Sequence, residues 1–200
     1  MLLKKFWLIG LVLSLGISAF LMAGCSKAPQ KELEDASAAV EMARSAEADI
    51  YAPELFGKAE SNLAQAESLS LAKQYRQARE LALSVKIEAD TATSLATANK
   101  EAKRKEVESL IAICHRMVDE LQKLVAEAEK KVPGAKMNAV KNNSQASMQL
   151  LDQAKISYQD EDFKNAYDQA KMTFTKVNET KNELTVLLAK KPQVKTTKKG

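Results

Sequence analysis

From Tyr75 onward, apolar residues recur at every third and fourth position over long stretches of the chain. Tyr75, Ala78, Ala82, Val85, Ala89, Ala92 and Ala96 hold strict three-four spacing. Val107, Ile111, Cys114, Val118, Leu121, Val125 and Ala128 alternate four and three, and Leu110, Met117 and Leu124 widen that stripe to a third position of each heptad. Phe163, Ala166, Ala170, Thr173, Val177, Thr180, Leu184 and Leu187 repeat the pattern. Earlier in the chain, Leu33, Ala36, Val40, Ala43 and Ile50 keep most of it with Glu47 interrupting, and Phe56, Ala59, Leu63 and Ala66 give a short version. This spacing lays one apolar stripe along a helix, to be buried against neighbouring helices. It predicts an all-α fold, and the seams suit left-handed helix packing.

Breaks fall at Tyr51-Ala52-Pro53, where Pro53 suits a first helical turn, near Leu71 to Gln74, at Pro133-Gly134, and at Gln159 to Asp162, where acids suit a helix N-terminus. The charged run Asn99 to Glu108 contains no breaker. If Tyr75 to Lys131 is a single helix, its 57 residues span about 85 Å, a rod rather than a globule. Sliding the chain by 88 residues sets Leu63 on Leu151, Gln65 on Gln153, Ala66 on Ala154, Tyr75 on Phe163, Ala78 on Ala166 and Ala82 on Ala170. Pro53 and Pro133 are offset by 80 instead, so a second copy would carry about eight extra residues. The expected architecture is an elongated antiparallel bundle of two three-helix units, residues 31–98 and 99–189, fused through the long helix.

The first 25 residues carry a different signal. Lys4 and Lys5 precede an uncharged run from Phe6 to Ala23, and Met22-Ala23-Gly24 leads into Cys25. A basic start, an apolar stretch and small residues before a cut are what the secretion machinery reads. The segment resembles the bacterial lipobox, with Met22 in place of the commoner Leu. The resemblance implies cleavage between Gly24 and Cys25, removal of residues 1–24 as a signal peptide, and diacylglycerol with an N-acyl chain on Cys25, followed by a short linker through residue 30. By analogy with enterobacterial sorting, Ser26 at the second mature position favours the outer membrane. The alternative is an uncleaved anchor, since about 18 apolar residues barely span a bilayer.

Composition narrows the chemistry. Six glycines and four prolines serve the whole chain, and three of the glycines (Gly10, Gly16 and Gly24) lie in the leader. Gly-rich phosphate loops, dinucleotide fingerprints and nucleophile elbows need glycines that the mature chain lacks. The formal net charge is +4; without the two leader lysines and the five in the tail (Lys190, Lys191, Lys195, Lys198, Lys199) the body is −3. No basic nucleic-acid face is expected on the folded part. The tail, residues 190–200, is read as basic and disordered, either simply solvated or touching anionic surfaces.

With Cys25 acylated, Cys114 is the odd cysteine. On the apolar stripe it reads as a buried small hydrophobe, with an intermolecular disulfide as the alternative. His115 follows it, but adjacent helical residues point about 100° apart and suit neither one metal nor one nucleophile-base pair. Position 112 is Ala, so a di-iron Glu-x-x-His is absent. No catalytic residue, metal site or cofactor is expected beyond the lipid on Cys25.

At Tyr51-Ala52-Pro53-Glu54-Leu55, then Ala59, Leu63 and Ala66, then Gln74-Tyr75-Arg76-Gln77-Ala78 and Leu81-Ala82, the first unit resembles the bacterial lipoproteins carrying domain of unknown function 4398. The resemblance covers residues 31–98. It implies an envelope lipoprotein with a helical domain and implies no activity. Some relatives end in a peptidoglycan-binding α/β domain of the outer-membrane-protein-A type, for which the helical C-terminal half here gives no sign.

The expected function is a non-enzymatic lipoprotein, structural or adaptor, with Cys25 as anchor and Ala78, Ala82 and Ala89 as a face packing within the chain or against envelope proteins or a second copy. The alternative is a lipid- or glycan-binding module using a groove between helices, with Tyr51, Tyr75, Tyr158 and Tyr167 as contacts.

Overall fold

The computed structural model describes residues 27–189. Cys25, the leader and the lysine-rich tail therefore lie outside the described residues. Among the described residues every regular element is a helix: α1 (Gln30–Ser45), α2 (Ala48–Tyr51), α3 (Pro53–Leu71), α4 (Tyr75–Glu129), α5 (Gly134–Gln159) and α6 (Phe163–Ala189). The chain forms two compact units that divide between Thr97 and Ala98. That division falls inside α4, and residues 99–108 are helical without interruption.

In the first unit the core is built largely of alanine. Ala36, Ala43, Ala59, Ala66, Ala82, Ala89, Ala92 and Ala96 are fully buried, and the larger buried side chains with them are Val40, Phe56 and Val85. A methyl group buries little apolar area, so each seam position contributes modestly. Alanine also carries the best helix propensity and leaves a smooth surface on which helices approach closely. Polar ties reinforce the seams: Lys58 Nζ and Asn62 Nδ2 on α3 each reach the mostly buried Glu88 on α4 at 2.8 Å, and Arg44 on α1 pairs with Glu60 on α3 while stacking 5.1 Å from the Phe56 ring centroid.

The second unit fills the same kind of seam with bulk. Val118, Leu121 and Val125 of α4, Met137, Val140 and Leu151 of α5, and Val177 and Leu184 of α6 form its core. Thr173 and Thr180, also buried, return their hydroxyls to the carbonyls of Gln169 and Lys176, at 2.9 and 2.7 Å.

The two helical hairpins, α3–α4 and α5–α6, turn in the same way. Lys73 and Glu161 both take the left-handed conformation with φ 60°. Around them Gln74 N–H bonds the Leu69 carbonyl at 2.9 Å and Lys73 N–H that of Ser70 at 3.0 Å; Asp162 and Glu161 repeat this on Ser157 and Tyr158 at 3.0 and 3.2 Å. This paired 6→1 and 5→2 bonding ends a helix by satisfying its last carbonyls. Both turns and their bonding partners lie 88 residues apart. The correspondence extends past the residue identities into burial: Val85 and Thr173, Ala89 and Val177, Ala92 and Thr180, and Ala96 and Leu184 occupy equivalent inward positions.

Two expectations need adjustment. Ile50 is 50% exposed and Ala48 turns inward instead, because the chain breaks at Glu47 (φ 58°) and restarts as α2 in a new register. Leu124 is 42% exposed, so it does not widen the buried stripe as Leu110 and Met117 do. The second copy's extra length resides in the middle helix, 26 residues in α5 against 19 in α3, where the first unit inserts α2 and the Ala52 break before Pro53.

Left-handed backbone at a residue with a Cβ costs about 1 kcal/mol that glycine avoids. Lys73→Gly and Glu161→Gly are each expected to raise stability by about 0.5–1 kcal/mol, read as a higher midpoint in thermal unfolding followed by circular dichroism.

Candidate functional site

The structure places the residues singled out by sequence in unlike settings. Ala78, Ala82 and Ala89 are all 0% exposed inside the first unit. They pack within the chain, the first of the two roles expected of them, and have no accessible surface in this arrangement. Tyr51, Tyr75, Tyr158 and Tyr167 are half-buried; Tyr51 packs on the first core, and Tyr158 and Tyr167 pack around Phe163.

Cys114 is fully buried and donates its thiol to the Ala170 carbonyl at 3.2 Å. Burial pushes the thiol up from its ordinary value, with an amide contact from Phe174 working the other way. A thiol held protonated is a poor nucleophile and a poor metal ligand. Its neighbour His115 points outward and pairs instead with Asp119, Nδ1 to Oδ2 at 3.2 Å. No group of three or more metal-ligating side chains occurs among the described residues, and no helix among them is long and apolar enough to cross a membrane.

Sequence reasoning missed a cationic and aromatic cluster in the second unit, where the charged run of α4 meets the α5–α6 turn. Arg104 holds Glu101 through two bonds, at 2.7 and 2.9 Å, and donates to the Tyr158 hydroxyl at 3.2 Å. The Tyr158 and Phe163 rings meet at 5.4 Å with a 59° tilt. Lys100 Nζ lies 5.9 Å from the Phe163 centroid and 3.2 Å from Glu161, and Lys103 Nζ lies 4.1 Å over Tyr167 and 2.8 Å from Glu106. The Arg104 guanidinium, through its hydrogen bonds first and its charge second, lowers the Glu101 carboxyl to about 2, and Glu101 in turn raises Arg104. Every cation here already has an acid, so the cluster staples the turn to α4 and holds no free charge for an anionic ligand. The signal available was the placement of Lys100, Lys103 and Arg104 on one helical face; their aromatic partners depend on tertiary packing.

Each unit also has an open groove among its described residues. One of about 630 Å³ in the second unit is lined by Leu150, Met172, Thr175 and Lys176 among others. Another of about 580 Å³ in the first unit lies over Met42, Ala38 and Ala46. On the outer side of α4, Leu83, Ile87 and Leu95 are 50%, 67% and 40% exposed. Spaced in steps of four with Thr91 between, they form one apolar ridge.

Residues 31–110 match the family described as Domain of unknown function (DUF4398). The match takes in the helices of the first unit and the part of α4 that opens the second. The DUF4398 match runs beyond residue 98, where the resemblance in sequence fades, and takes α4 as far as Leu110. It thus includes Lys100, Lys103 and Arg104, the α4 side of the staple. No curated protein and no solved structure matches the chain.

Cys114 is expected to resist a thiol reagent in the native protein and to react within minutes in denaturant. Glu101 is expected to titrate near 2 by carboxyl NMR, and Arg104→Gln should return it toward ordinary values. Because the folded pKa is the lower one, this pairing supports the fold fully above about 4.5 and is lost as pH falls toward 2.

Proposed function

We propose that this chain is a non-enzymatic lipoprotein of the bacterial cell envelope, anchored by acyl chains on Cys25 and acting as a structural or adaptor protein through helical surfaces. The observation that carries the reading is Met22-Ala23-Gly24-Cys25 after an uncharged run, followed within five residues by the first helix of a DUF4398 domain. Three acyl chains, each contributing about 0.8 kcal/mol per buried methylene, hold a protein far more firmly than the single chain that gives marginal binding. Ser26 favours the outer membrane, facing the periplasm. Intact mass tests the anchor: a chain beginning at a triacylated Cys25 supports it, and Met1 still attached overturns it.

The adaptor surface moves from the alanine face to the ridge Leu83, Ile87 and Leu95. Partners are envelope proteins or a second copy, and nucleic acid is not among them. The alternative, a lipid- or glycan-binding module, draws on the groove beside Leu150 and Met172, whose lining is mostly apolar.

In-cell cross-linking from a photoreactive residue at position 83, followed by mass spectrometry, is expected to capture a protein at near-fixed ratio. Ile87→Glu should abolish that link while leaving thermal stability within about 0.5 kcal/mol, as surface changes do. Ala82→Glu should instead unfold the first unit, because it places a charge in a closed seam. Retention of lipid or glycan with no protein link would favour the binding module.

A further inference from the structure

The chain is fixed to the first unit almost as soon as it leaves Cys25. Pro29 is fully buried, and its carbonyl accepts the Leu33 N–H at 3.0 Å as α1 begins. Arg79, in the second turn of α4, donates Nη2 to the Lys27 carbonyl at 3.2 Å and Nε to Glu32 Oε1 at 2.7 Å. Two residue steps then separate pinned Lys27 from Cys25, a reach of at most about 7 Å even when fully extended. An anchor that short leaves the adjoining end of the unit no room to stand away from the surface that holds it.

That end consists of the start of α1, the α3–α4 turn and the first turn of α4. Its exposed side chains suit a lipid surface. Leu71 is 86% exposed, the barest large hydrophobic residue among those described. Lys27, Lys31, Lys73 and Arg76 belong to the same end, all exposed and none in an ion pair within the described residues. Glu32, the acid closest to the start of α1, is occupied by Arg79, and along α3 and α4 the next acids, Glu67 and Glu80, lie a turn further from the end. A bare leucine on an end that also carries four free cations can enter the headgroup layer while those cations meet lipid phosphates.

We propose that this end of the first unit lies against the bilayer, with Leu71 entering the headgroup layer and Lys27, Lys31, Lys73 and Arg76 contacting anionic phospholipid. The inference rests on the reading of Cys25 as lipidated. The DUF4398 domain is then oriented by its own surface as well as tethered by its lipid, with the α1–α3 connection pointing away from the membrane.

The test uses the full lipidated chain with Cys114→Ala, reconstituted into phosphatidylethanolamine and phosphatidylglycerol vesicles containing brominated acyl chains. A fluorescent probe is attached at Ala72→Cys, or at Asp49→Cys on the opposite end of the unit. Quenching at position 72 is expected to exceed that at position 49 several-fold. Leu71→Ser, and separately Lys73→Glu with Arg76→Glu, should reduce quenching at position 72 by at least about half, the latter toward the value in pure phosphatidylcholine vesicles. A mass showing unmodified Cys25 overturns both readings. Lipidated Cys25 with quenching at position 72 no greater than at position 49 overturns this one alone.

Discussion

Alanine at the inward positions sets the terms for the first unit. With a methyl group at almost every contact, helices come close together but each contact removes little apolar surface from water. What holds such a bundle is helix length, high intrinsic propensity and ties at its surface. The chain supplies all three: a 55-residue helix, long stretches free of Gly and Pro, and Arg44, Lys58 and Arg79 reaching acids on neighbouring helices. Glu88 shows the balance involved. Its partial burial works against the charged form, yet Lys58, Asn62 and Ser84 together outweigh that and lower its pKa. The second unit, with Val, Leu and Met inside, adds ties of the same kind, among them Lys181 to Glu120 and Asn143 to Glu183.

The helices themselves were legible because the three-four period is strict from Ala78 to Ala96 and from Phe163 to Leu184, and every break expected from Pro53, Leu71 to Gln74, Pro133 and Gln159 to Asp162 falls where an element ends. The failures have local causes. Glu47 read as a lapse in a stripe, but its left-handed backbone resets the helix phase, and periodicity carries no signal for that. Lys73 and Glu161 stand where a helix-ending glycine is usual, so composition gave no hint of their backbone. In the repeat, identities decay after Ala82 and Ala170, while packing preserves the inward positions as far as Ala96 and Leu184.

The candidate site was less legible than the fold. Sequence pointed to the alanine stripe, which is the part of the surface that vanishes on folding. The residues left outside are those that periodicity marks as off-stripe, such as Leu83, Ile87 and Leu71, and a single apolar residue off a stripe is ordinary on any protein surface. Their meaning comes from company: Ile87 shares a ridge, while Leu71 shares its end of the unit with four exposed cations and a pinned linker. The staple around Arg104 shows the opposite case, in which conspicuous charges and aromatics satisfy one another and leave nothing to offer a ligand.

Two hairpins with the same turn in one chain create a hazard during folding, because either could dock in the other's place. The differing size of their inward residues guards against this. Leu184 occupies the position equivalent to Ala96, and Val177 that of Ala89. A mispaired α6 would force those larger side chains into a seam shaped for methyl groups, where overpacking costs about 1–3 kcal/mol at each site. The reverse exchange would leave voids of comparable penalty. Divergence in core volume thus works as an address label, keeping each hairpin with its own partners while the turns that close them stay alike.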